Sequence, residues 1–191
     1  MARLLIVYAT SEGHTRKIAG RIAEIARGLG HAAEVVDSAA TPGLARPHGY
    51  DAVVVAGSVH AGKHQASLAR FVRRSLAELS RLPTVFFSVS LSATGSDLPG
   101  ARKCADAFLH ETGWFPSMVR LTAGALMYTR YGFVTRWLMR RIARKAGGDT
   151  DTSRDYEYTD WAKLRADVEA FLLRAIPAGA PAAGEPVGAG R

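Results

Sequence analysis

Runs of apolar residues alternate with segments of helical periodicity along the first half of the chain, which is typical of βαβ units and a parallel sheet. Leu4 to Tyr8 predicts the first strand, and apolar residues at helical spacing from Ile18 to Leu29 predict the first helix. Ala33 to Val36 predicts a second strand. The uninterrupted apolar run within Asp51 to Gly57 indicates a third strand that is buried on both faces, as at the centre of a sheet.

The same alternation continues through the second half of the chain. Helical spacing from Leu68 to Leu79 predicts one helix, and Thr84 to Val89 predicts a fourth strand. A loop of small residues from Ser90 to Gly100 leads into the third helix. Met118 to Leu126 predicts the fifth strand, and the last helix is predicted to begin near Asp160. The pattern therefore predicts an α/β protein with a doubly wound, five-stranded parallel sheet.

Length and composition indicate one domain followed by a tail. A chain of 191 residues with 48% hydrophobic content suffices for a single core, which we expect to span residues 1–176. Residues 177–191 are Ala, Gly or Pro at 12 of 15 positions, so we expect a disordered tail. Cys104 is the one cysteine, which excludes an intramolecular disulfide and an all-cysteine metal site and favours a reducing compartment. We expect no bound metal.

The loop Thr10-Ser11-Glu12-Gly13-His14-Thr15 lies between the first predicted strand and the first predicted helix. Small and hydroxylated residues at the start of a helix direct backbone N–H groups, hydroxyls and the helix dipole at an anion. The glycine patterns of dinucleotide sites and P-loops are absent, so a monophosphate is the expected ligand. The alternative is an ordinary helix N-cap, in which Thr10 or Ser11 satisfies free amides.

The position of this loop favours the ligand site over the N-cap. In a doubly wound sheet, ligands bind beyond the carboxyl ends of the strands, where the strand order reverses. Loops after the third and fourth strands, at Ser58 to His64 and Ser90 to Asp97, are expected to reach the same place. His60 and His64 are candidate proton carriers there, although a structural role is an equal alternative for each.

These loops resemble those of the flavodoxin family, whose phosphate loop has hydroxyl residues around a Thr-Gly pair and ends in Thr. Glu12 departs from that pattern, where the family has a hydroxyl residue. The resemblance implies FMN as the cofactor and the strand order 2-1-3-4-5. The implied cofactor-binding residues are Thr10, Ser11, Glu12, Gly13, His14, Thr15, Ser58, Val59, His60, Ala61, Gly62, Ser90, Leu91, Ser92, Ala93, Thr94 and Gly95. Flavodoxins commonly hold the flavin ring between aromatic side chains, and here the loops offer His60 and Leu91 instead.

Charge points to an anionic partner. The chain has 25 Lys and Arg against 17 Asp and Glu, a net charge of +8. Before the last helix lies an insertion of about residues 128–152. Its part from Tyr128 to Lys145 has no acidic residue and carries the cations Arg130, Arg136, Arg140, Arg141, Arg144 and Lys145. On a helix from about Phe133, Trp137 and other apolar residues share one face and Arg136, Arg140 and Arg144 the other, which is typical of an interfacial amphipathic helix.

The expected contacts of this basic helix with an anionic membrane surface or a substrate are Tyr131, Arg136, Trp137, Arg140, Arg141 and Arg144. The alternative is a helix that packs its apolar face on the domain and leaves its arginines solvated. Nucleic acid is not an expected partner, because exposed aromatic residues do not alternate with the cations. The N-terminal apolar stretch is too short for a signal peptide, and no apolar run approaches the ~20 residues of a spanning helix.

Three motifs sharpen the resemblance to one branch of the flavodoxin family, the quinone-dependent protoporphyrinogen oxidases. They are Gly124 to Tyr131, Gly147 to Thr152 and Tyr158 to Trp161. The resemblance implies a cytoplasmic enzyme of haem biosynthesis, peripheral on the inner membrane, that oxidises protoporphyrinogen IX through FMN with a membrane quinone as acceptor. The loop Ser90 to Gly100 lacks the basic residues expected of that branch. The alternatives are a flavodoxin-type electron carrier and an NAD(P)H-quinone reductase.

Overall fold

A computed structural model of the chain describes residues 1–40, 43, 45–95, 97–130, 132, 137, 141 and 149–176. Five parallel strands form its main sheet, in the order β2-β1-β3-β5-β6, and the two-residue strand β4 pairs antiparallel with the end of β3. The strands are β1 (Arg3–Ala9), β2 (Ala32–Asp37), β3 (Ala52–His60), β4 (Lys63–His64), β5 (Thr84–Ser90) and β6 (Met118–Ala123). The five parallel strands, counted along the chain, have the order 2-1-3-4-5, which confirms the predicted fold class.

The helices cover both faces of this sheet. They are α1 (His14–Gly28), α2 (Ala66–Arg74), α3 (Leu76–Leu79), α4 (Leu98–Thr112) and α5 (Trp161–Ala175), with short 3₁₀ turns at Leu91–Thr94 and Tyr128–Arg130. Ile18 and Ile22 of α1 pack with Phe171 of α5 on one face of the sheet. Leu68 of α2 and Phe108 of α4 pack on the other face. Because both faces are covered, the central strands are apolar throughout, as the sequence pattern predicts.

The helix predicted from Leu68 to Leu79 is interrupted in the structure. Ser75 is buried and its amide donates to the carbonyl of Phe71 at 3.0 Å, which ends α2. The amide of Glu78 then bonds the carbonyl of Ser75 at 3.1 Å, and the short α3 follows. The prediction of one helix was wrong because the apolar spacing continues across a single residue whose backbone leaves the helical path.

The predicted loop Ser90 to Gly100 is also shorter than expected. A 3₁₀ turn occupies Leu91–Thr94, and α4 begins at Leu98. Asp97 caps this helix, since its Oδ1 accepts from the amide of Gly100 at 2.9 Å. The small residues of this stretch place no apolar side chains at helical spacing, so the sequence did not indicate where the helix begins.

The predicted fifth strand ends three residues early. Gly124 leaves the sheet, and its amide donates to the carbonyl of Ser90 at 3.0 Å. A Cβ at this position would lie 3.4 Å from Cγ1 of Val89, so the close approach of the two chain segments favours glycine. The residues beyond form β7 (Ala125–Leu126), which pairs antiparallel with β8 (Tyr156–Glu157) in a separate two-stranded sheet. Strands of two residues are too short for a periodic pattern.

Several predictions fall on residues outside the described ranges. Among the expected membrane or substrate contacts, this holds for Tyr131, Arg136, Arg140 and Arg144, and it also holds for the tail at 177–191. Trp137 is described and is 58% exposed, with the guanidinium carbon of Arg141 5.8 Å from its ring centroid. In the part of the chain that the structure describes, no helix is long and apolar enough to cross a bilayer.

Candidate functional site

A cavity opens at the carboxyl edge of the sheet, where β1, β3, β5 and β6 end. Its lining comes from all three predicted loops and from a fourth segment after β6. The lining residues are Thr10, Ser11, Glu12, His14, Thr15, Ser58, Val59, His60, Val89, Ser90, Leu91, Gly124 and Ala125. The structure therefore brings the three loops together at the place that the strand order indicates.

The loop after β1 leaves polar groups available to an anion. Gly13 precedes α1 with a φ of 91°, and no side chain of the described residues caps the helix. The hydroxyl of Thr10 accepts from the amide of Gly13 at 2.9 Å, so Thr10 satisfies one free amide, as in the N-cap alternative. Thr15 is fully buried, and its Oγ1 has no hydrogen-bond partner among the described residues. The uncapped first turn of α1 and the Thr15 hydroxyl suit a bound anion.

The loop after β3 is joined to the phosphate loop by a glutamine that the sequence analysis missed. Gln65 donates from Nε2 to the hydroxyl of Ser58 at 2.6 Å and to the hydroxyl of Ser11 at 3.0 Å. The amide of Ser11 also donates to the Ser58 hydroxyl, at 3.3 Å. Oε1 of Gln65 is buried with no partner in the described part of the chain. The signal in the sequence was weak, because Gln65 lies just outside the predicted loop.

His64 does not line the cavity. Its ring packs against Phe86 and Phe108, with centroids 5.2 Å and 5.0 Å away. Nδ1 donates to the carbonyl of Ser58 at 3.1 Å, and Nε2 accepts from the hydroxyl of Ser88 at 3.2 Å. Burial lowers the pKa of His64 to about 4, against the raising effect of its backbone hydrogen bonds. His64 is thus a neutral structural residue that fixes the Ser58 carbonyl, and only His60 of the two histidines reaches the cavity.

The turn between β3 and β4 extends past the cavity. His60 pairs with Lys63, so Ala61 and Gly62 form a two-residue hairpin loop. Their φ angles are 48° and 78°, both in the left-handed region, as in a type I′ turn. Both residues are exposed at the tip of the hairpin and are not part of the cavity lining, although the family resemblance implies a flavin contact for each.

Ser90, the last residue of β5, and Leu91, the first residue after it, contribute to the cavity lining. Ser90 is 7% exposed, and its Oγ has no partner among the residues that the structure describes. Leu91 follows it on the cavity wall. The remaining implied contacts, Ser92 to Gly95, lie in and after the 3₁₀ turn, outside the lining.

A fourth segment, Gly124 and Ala125, closes the cavity and was not predicted. It is held by the strand β8 and the residues after it. The amide of Tyr158 donates to the carbonyl of Gly124 at 3.1 Å, and Oγ1 of Thr159 donates to the carbonyl of Ala123 at 2.7 Å. The segment Tyr158 to Trp161, one of the three motifs on which the sequence resemblance rests, thereby supports the cavity wall.

The two ends of the insertion are tied together beside this wall. Tyr128 is fully buried, and its hydroxyl donates to the carbonyl of Asp149 at 2.7 Å. The hydroxyl of Tyr158 donates to Oδ2 of Asp149 at 2.7 Å, and burial together with this bond raises the pKa of Tyr158 to about 12. Leu126 and Tyr128 form a small core against Leu91, Met127, Tyr156 and Tyr158. We call residues 124–130 and 149–159 the insertion base.

The donor set of the cavity fits FMN. Uncapped amides at the start of α1 and the unpaired hydroxyl of Thr15 suit a phosphate group. The unpaired Oγ of Ser90 offers a hydrogen bond to a polar ring or chain, while Val59 and Leu91 offer apolar contact. Buried polar atoms without a partner are uncommon in folded proteins, so the occurrence of two of them, in Thr15 and Ser90, on the lining of one cavity indicates a ligand site.

Comparison with known proteins agrees with this geometry. Residues 5–153 match the family described as "Flavodoxin domain". Among solved structures, oxidised flavodoxin 1 from Bacillus cereus superposes with a TM-score of 0.56 over 90% of this chain and 97% of that one, at 15% identity. A short-chain flavodoxin associated with a bacterial microcompartment gives a TM-score of 0.53 at 15% identity, over 92% of this chain and 99% of that one. These structures support the fold alone.

Sequence relatives are more specific. A protein named protoporphyrinogen IX dehydrogenase (quinone) from Leishmania major is 34% identical over 94% of this chain and 78% of its own length. A protein of the same name from Escherichia coli strain K12 is 32% identical over 85% of this chain and 90% of its own. The similarity to both relatives therefore extends well beyond the phosphate loop.

Proposed function

The chain belongs to the flavodoxin-domain family and, within it, to the group of quinone-dependent protoporphyrinogen IX dehydrogenases; on this premise we propose that it oxidises protoporphyrinogen IX to protoporphyrin IX with FMN as cofactor and a membrane quinone as electron acceptor. The observation that carries the proposal is the identity of 32–34% to two such enzymes over most of both chains. The reaction would be a step of haem biosynthesis, carried out at the cytoplasmic surface of the inner membrane.

Each loop has its own task in this proposal. The amides of the first turn of α1 and the hydroxyl of Thr15 would hold the FMN phosphate, because both are polar groups without an internal partner. Val59, Leu91 and Ala125 would exclude water from the ring, and Ser90 would orient it by a hydrogen bond. When bound, FMN would supply redox chemistry in repeated two-electron steps, with quinone accepting the electrons each time, so no side chain is required as a nucleophile.

The insertion would bind the membrane surface and so place the cavity close to the porphyrinogen and the quinone. Its cations match the carboxylates of a porphyrinogen and the phosphates of lipid headgroups, and Trp137 is exposed as a residue at a membrane interface would be. Gly124 and Ala125 of the insertion base line the cavity, so the base of the insertion is part of the cavity wall. A quinone that diffuses within the bilayer would then meet the flavin without leaving the membrane surface.

The test is an anaerobic assay of the full chain loaded with FMN. Protoporphyrinogen IX is added with a soluble quinone, and porphyrin fluorescence is followed against reactions without quinone and without protein. We expect a quinone-dependent rise of porphyrin fluorescence. At low FMN concentration, Thr15→Val is expected to abolish this rise, and the matched variant Thr112→Val is expected to preserve it. Thr112 is also a buried threonine, but its hydroxyl bonds the carbonyl of Phe108 within α4.

Parallel reactions separate the alternatives. NADH or NADPH replaces the porphyrinogen in one, and quinone reduction there without any porphyrinogen oxidation would identify a nicotinamide-dependent quinone reductase. Reversible flavin reduction with no turnover of either donor would identify an electron carrier. Either result would overturn the proposed function.

A further inference from the structure

His14 is the first residue of α1 and a member of the predicted phosphate loop, yet its side chain points to a distant part of the sequence. The ring is 7% exposed, and Nε2 lies 2.7 Å from the hydroxyl oxygen of Thr159. Because that hydroxyl donates its own proton to the carbonyl of Ala123, it accepts from His14. The geometry therefore assigns the proton of the neutral ring to Nε2.

The polar and charged neighbours of His14 come from α1, β8 and α5. Nδ1 lies 3.8 Å from Oε2 of Glu157, and the same carboxylate accepts from Nζ of Lys17 at 2.6 Å. The indole of Trp161 donates to Oε1 of Glu157 at 2.7 Å. Burial is the main cause that lowers the pKa of His14, with Glu157 opposing and Lys17 adding to it. The imidazole is thus hydrogen-bonded through Nε2 to Thr159 and has the Glu157 carboxylate beside Nδ1, and both residues follow the insertion.

From the contact of His14 with Thr159, further hydrogen bonds lead to two other segments of the cavity wall. Thr159 bonds the carbonyl of Ala123, the next residue Gly124 bonds the carbonyl of Ser90, and Ser90 and Gly124 both line the cavity. One hydrogen-bonded path therefore connects the phosphate loop with the loops after β5 and β6. A shift of the first turn of α1 would disturb this path, since the contact between His14 and Thr159 is buried.

We propose that His14 and Thr159 are a positioning pair that couples the FMN phosphate loop to the insertion base, so that a flavin phosphate and an ordered insertion base stabilise each other. This inference rests on the proposed FMN site, but on neither the substrate nor the quinone. His14 holds the first turn of α1 where its amides meet the phosphate, and Thr159 fixes His14. By linkage, an FMN phosphate that favours this arrangement also favours the ordered base.

The test compares FMN with riboflavin, which has the same ring system and lacks the phosphate. Dissociation constants are measured by quenching of flavin fluorescence for the full chain, for His14→Leu, for Thr159→Val and for the double variant. We expect each single variant to weaken FMN binding about tenfold, as for the loss of one buried hydrogen bond, and to leave riboflavin binding unchanged. The double variant is expected to lose about as much as either single one, because the two residues act together.

Two further variants keep the test independent of folding. His14→Gln retains a side-chain N–H donor and is expected to recover part of the affinity for FMN, while Thr112→Val is the matched control without effect on either flavin. Hydrogen exchange of the insertion base is then measured with each flavin. FMN is expected to protect residues 149–159 more strongly than riboflavin in the full chain, and this difference is expected to vanish in His14→Leu.

The outcomes separate this inference from the proposed function. Equal weakening of FMN and riboflavin in the variants, or additive losses in the double variant, would reduce the pair to ordinary structural residues and overturn the coupling. The same holds if FMN and riboflavin protect the insertion base equally. Failure of the unaltered chain to bind FMN would instead overturn the cofactor site itself, and the inference with it.

Discussion

At the scale of single residues, the buried His64 makes the stability of the fold depend on pH. It is enclosed by two phenylalanine rings, and this burial favours the neutral form and lowers its pKa from 6.5 to about 4, against the raising effect of its backbone hydrogen bonds. The unfolded chain then binds a proton that the folded chain does not, between those two pH values. Stability from this residue is fully present above pH 6.5 and is lost as the pH falls toward 4.

We predict that the free energy of unfolding decreases by about 2 to 3 kcal/mol between pH 7 and pH 4 on account of His64. Urea unfolding at several pH values measures it. His64→Gln is expected to flatten this part of the profile, whatever its effect at neutral pH. His48→Gln, which alters an exposed histidine, is expected to keep the profile of the unaltered chain. Parallel profiles for the two variants would contradict the burial of a neutral His64.

Single residues also show which parts of the site could be predicted from the sequence and which could not. Thr10, Ser11 and Thr15 could be placed near an anion because their loop follows a strand at the carboxyl edge of the predicted doubly wound sheet, where ligands bind. Gln65 and Thr159 could not, since their contacts join residues 54 and 145 positions apart in sequence. A single chain without aligned relatives gives no sign of such pairs.

At the scale of elements, the hairpin between β3 and β4 has an alanine in a backbone conformation that is unfavourable for it. Ala61 adopts a φ of 48°, which costs a residue with a Cβ roughly 1 kcal/mol, and type I′ turns favour Asn followed by Gly. We predict that Ala61→Asn stabilises the chain by about 0.5 to 1 kcal/mol in urea unfolding. Ala170→Asn, at an exposed position of helix α5, is the control and is expected to destabilise by about 0.5 kcal/mol. A loss of stability in Ala61→Asn would argue against the I′ geometry.

The insertion base is a second element, and the hydroxyl of Tyr128 is one of the groups that join its two segments. Tyr128→Phe removes the bond to the Asp149 carbonyl and keeps the ring in its small core. We predict that hydrogen exchange in residues 149–158 accelerates about fivefold, in line with a loss of about 1 kcal/mol. Tyr50→Phe removes a tyrosine bond to Glu34 elsewhere and is expected to leave these residues unchanged. Unaltered exchange in Tyr128→Phe would show that the base is ordered by other contacts.

The elements also explain how far the sequence determines the fold. The central strands β1, β3 and β5 were predicted because each buries an apolar run, as in Val53 to Ala56, and burial on two faces leaves little choice of residue. The edge strands β2 and β6 were also predicted, although they are only partly buried. The break at Ser75 and the pair β7 and β8 were not predicted. They depend on backbone geometry at one residue and on pairing between segments about thirty positions apart, and neither changes the apolar periodicity.

At the scale of the whole molecule, the two ends of the sheet differ in what they offer. The carboxyl end of the strands has the cavity, the insertion base and the unpaired polar atoms of Thr15 and Ser90. Two large side chains exposed at the other end are Phe115, before β6, and Leu29, after α1. If the cavity faces a membrane, orientation has to come from charge at the cavity end, because net charge alone attracts the molecule without orienting it.

The last prediction tests whether the cations of the insertion, or the net charge, bind an anionic surface. Arg136, Arg140 and Arg144 are replaced together by Gln in one variant, and Arg46, Arg70 and Arg81 in another. The second set is exposed and lies outside the insertion. Each triple change lowers the formal net charge equally, from +8 to +5. Binding to vesicles with anionic lipid is measured by cosedimentation at low and physiological salt, with vesicles of neutral lipid as the baseline.

We expect the insertion variant to lose about a hundredfold in affinity, since each cation at a membrane surface contributes about 1 kcal/mol. The second variant is expected to lose less than about threefold, because its cations act from a distance at which salt screens them. Equal losses would show that attraction follows net charge alone, and the insertion would then have no orienting role. A larger loss in the second variant would place the membrane-facing surface away from the cavity and would contradict delivery of quinone to the flavin through the insertion.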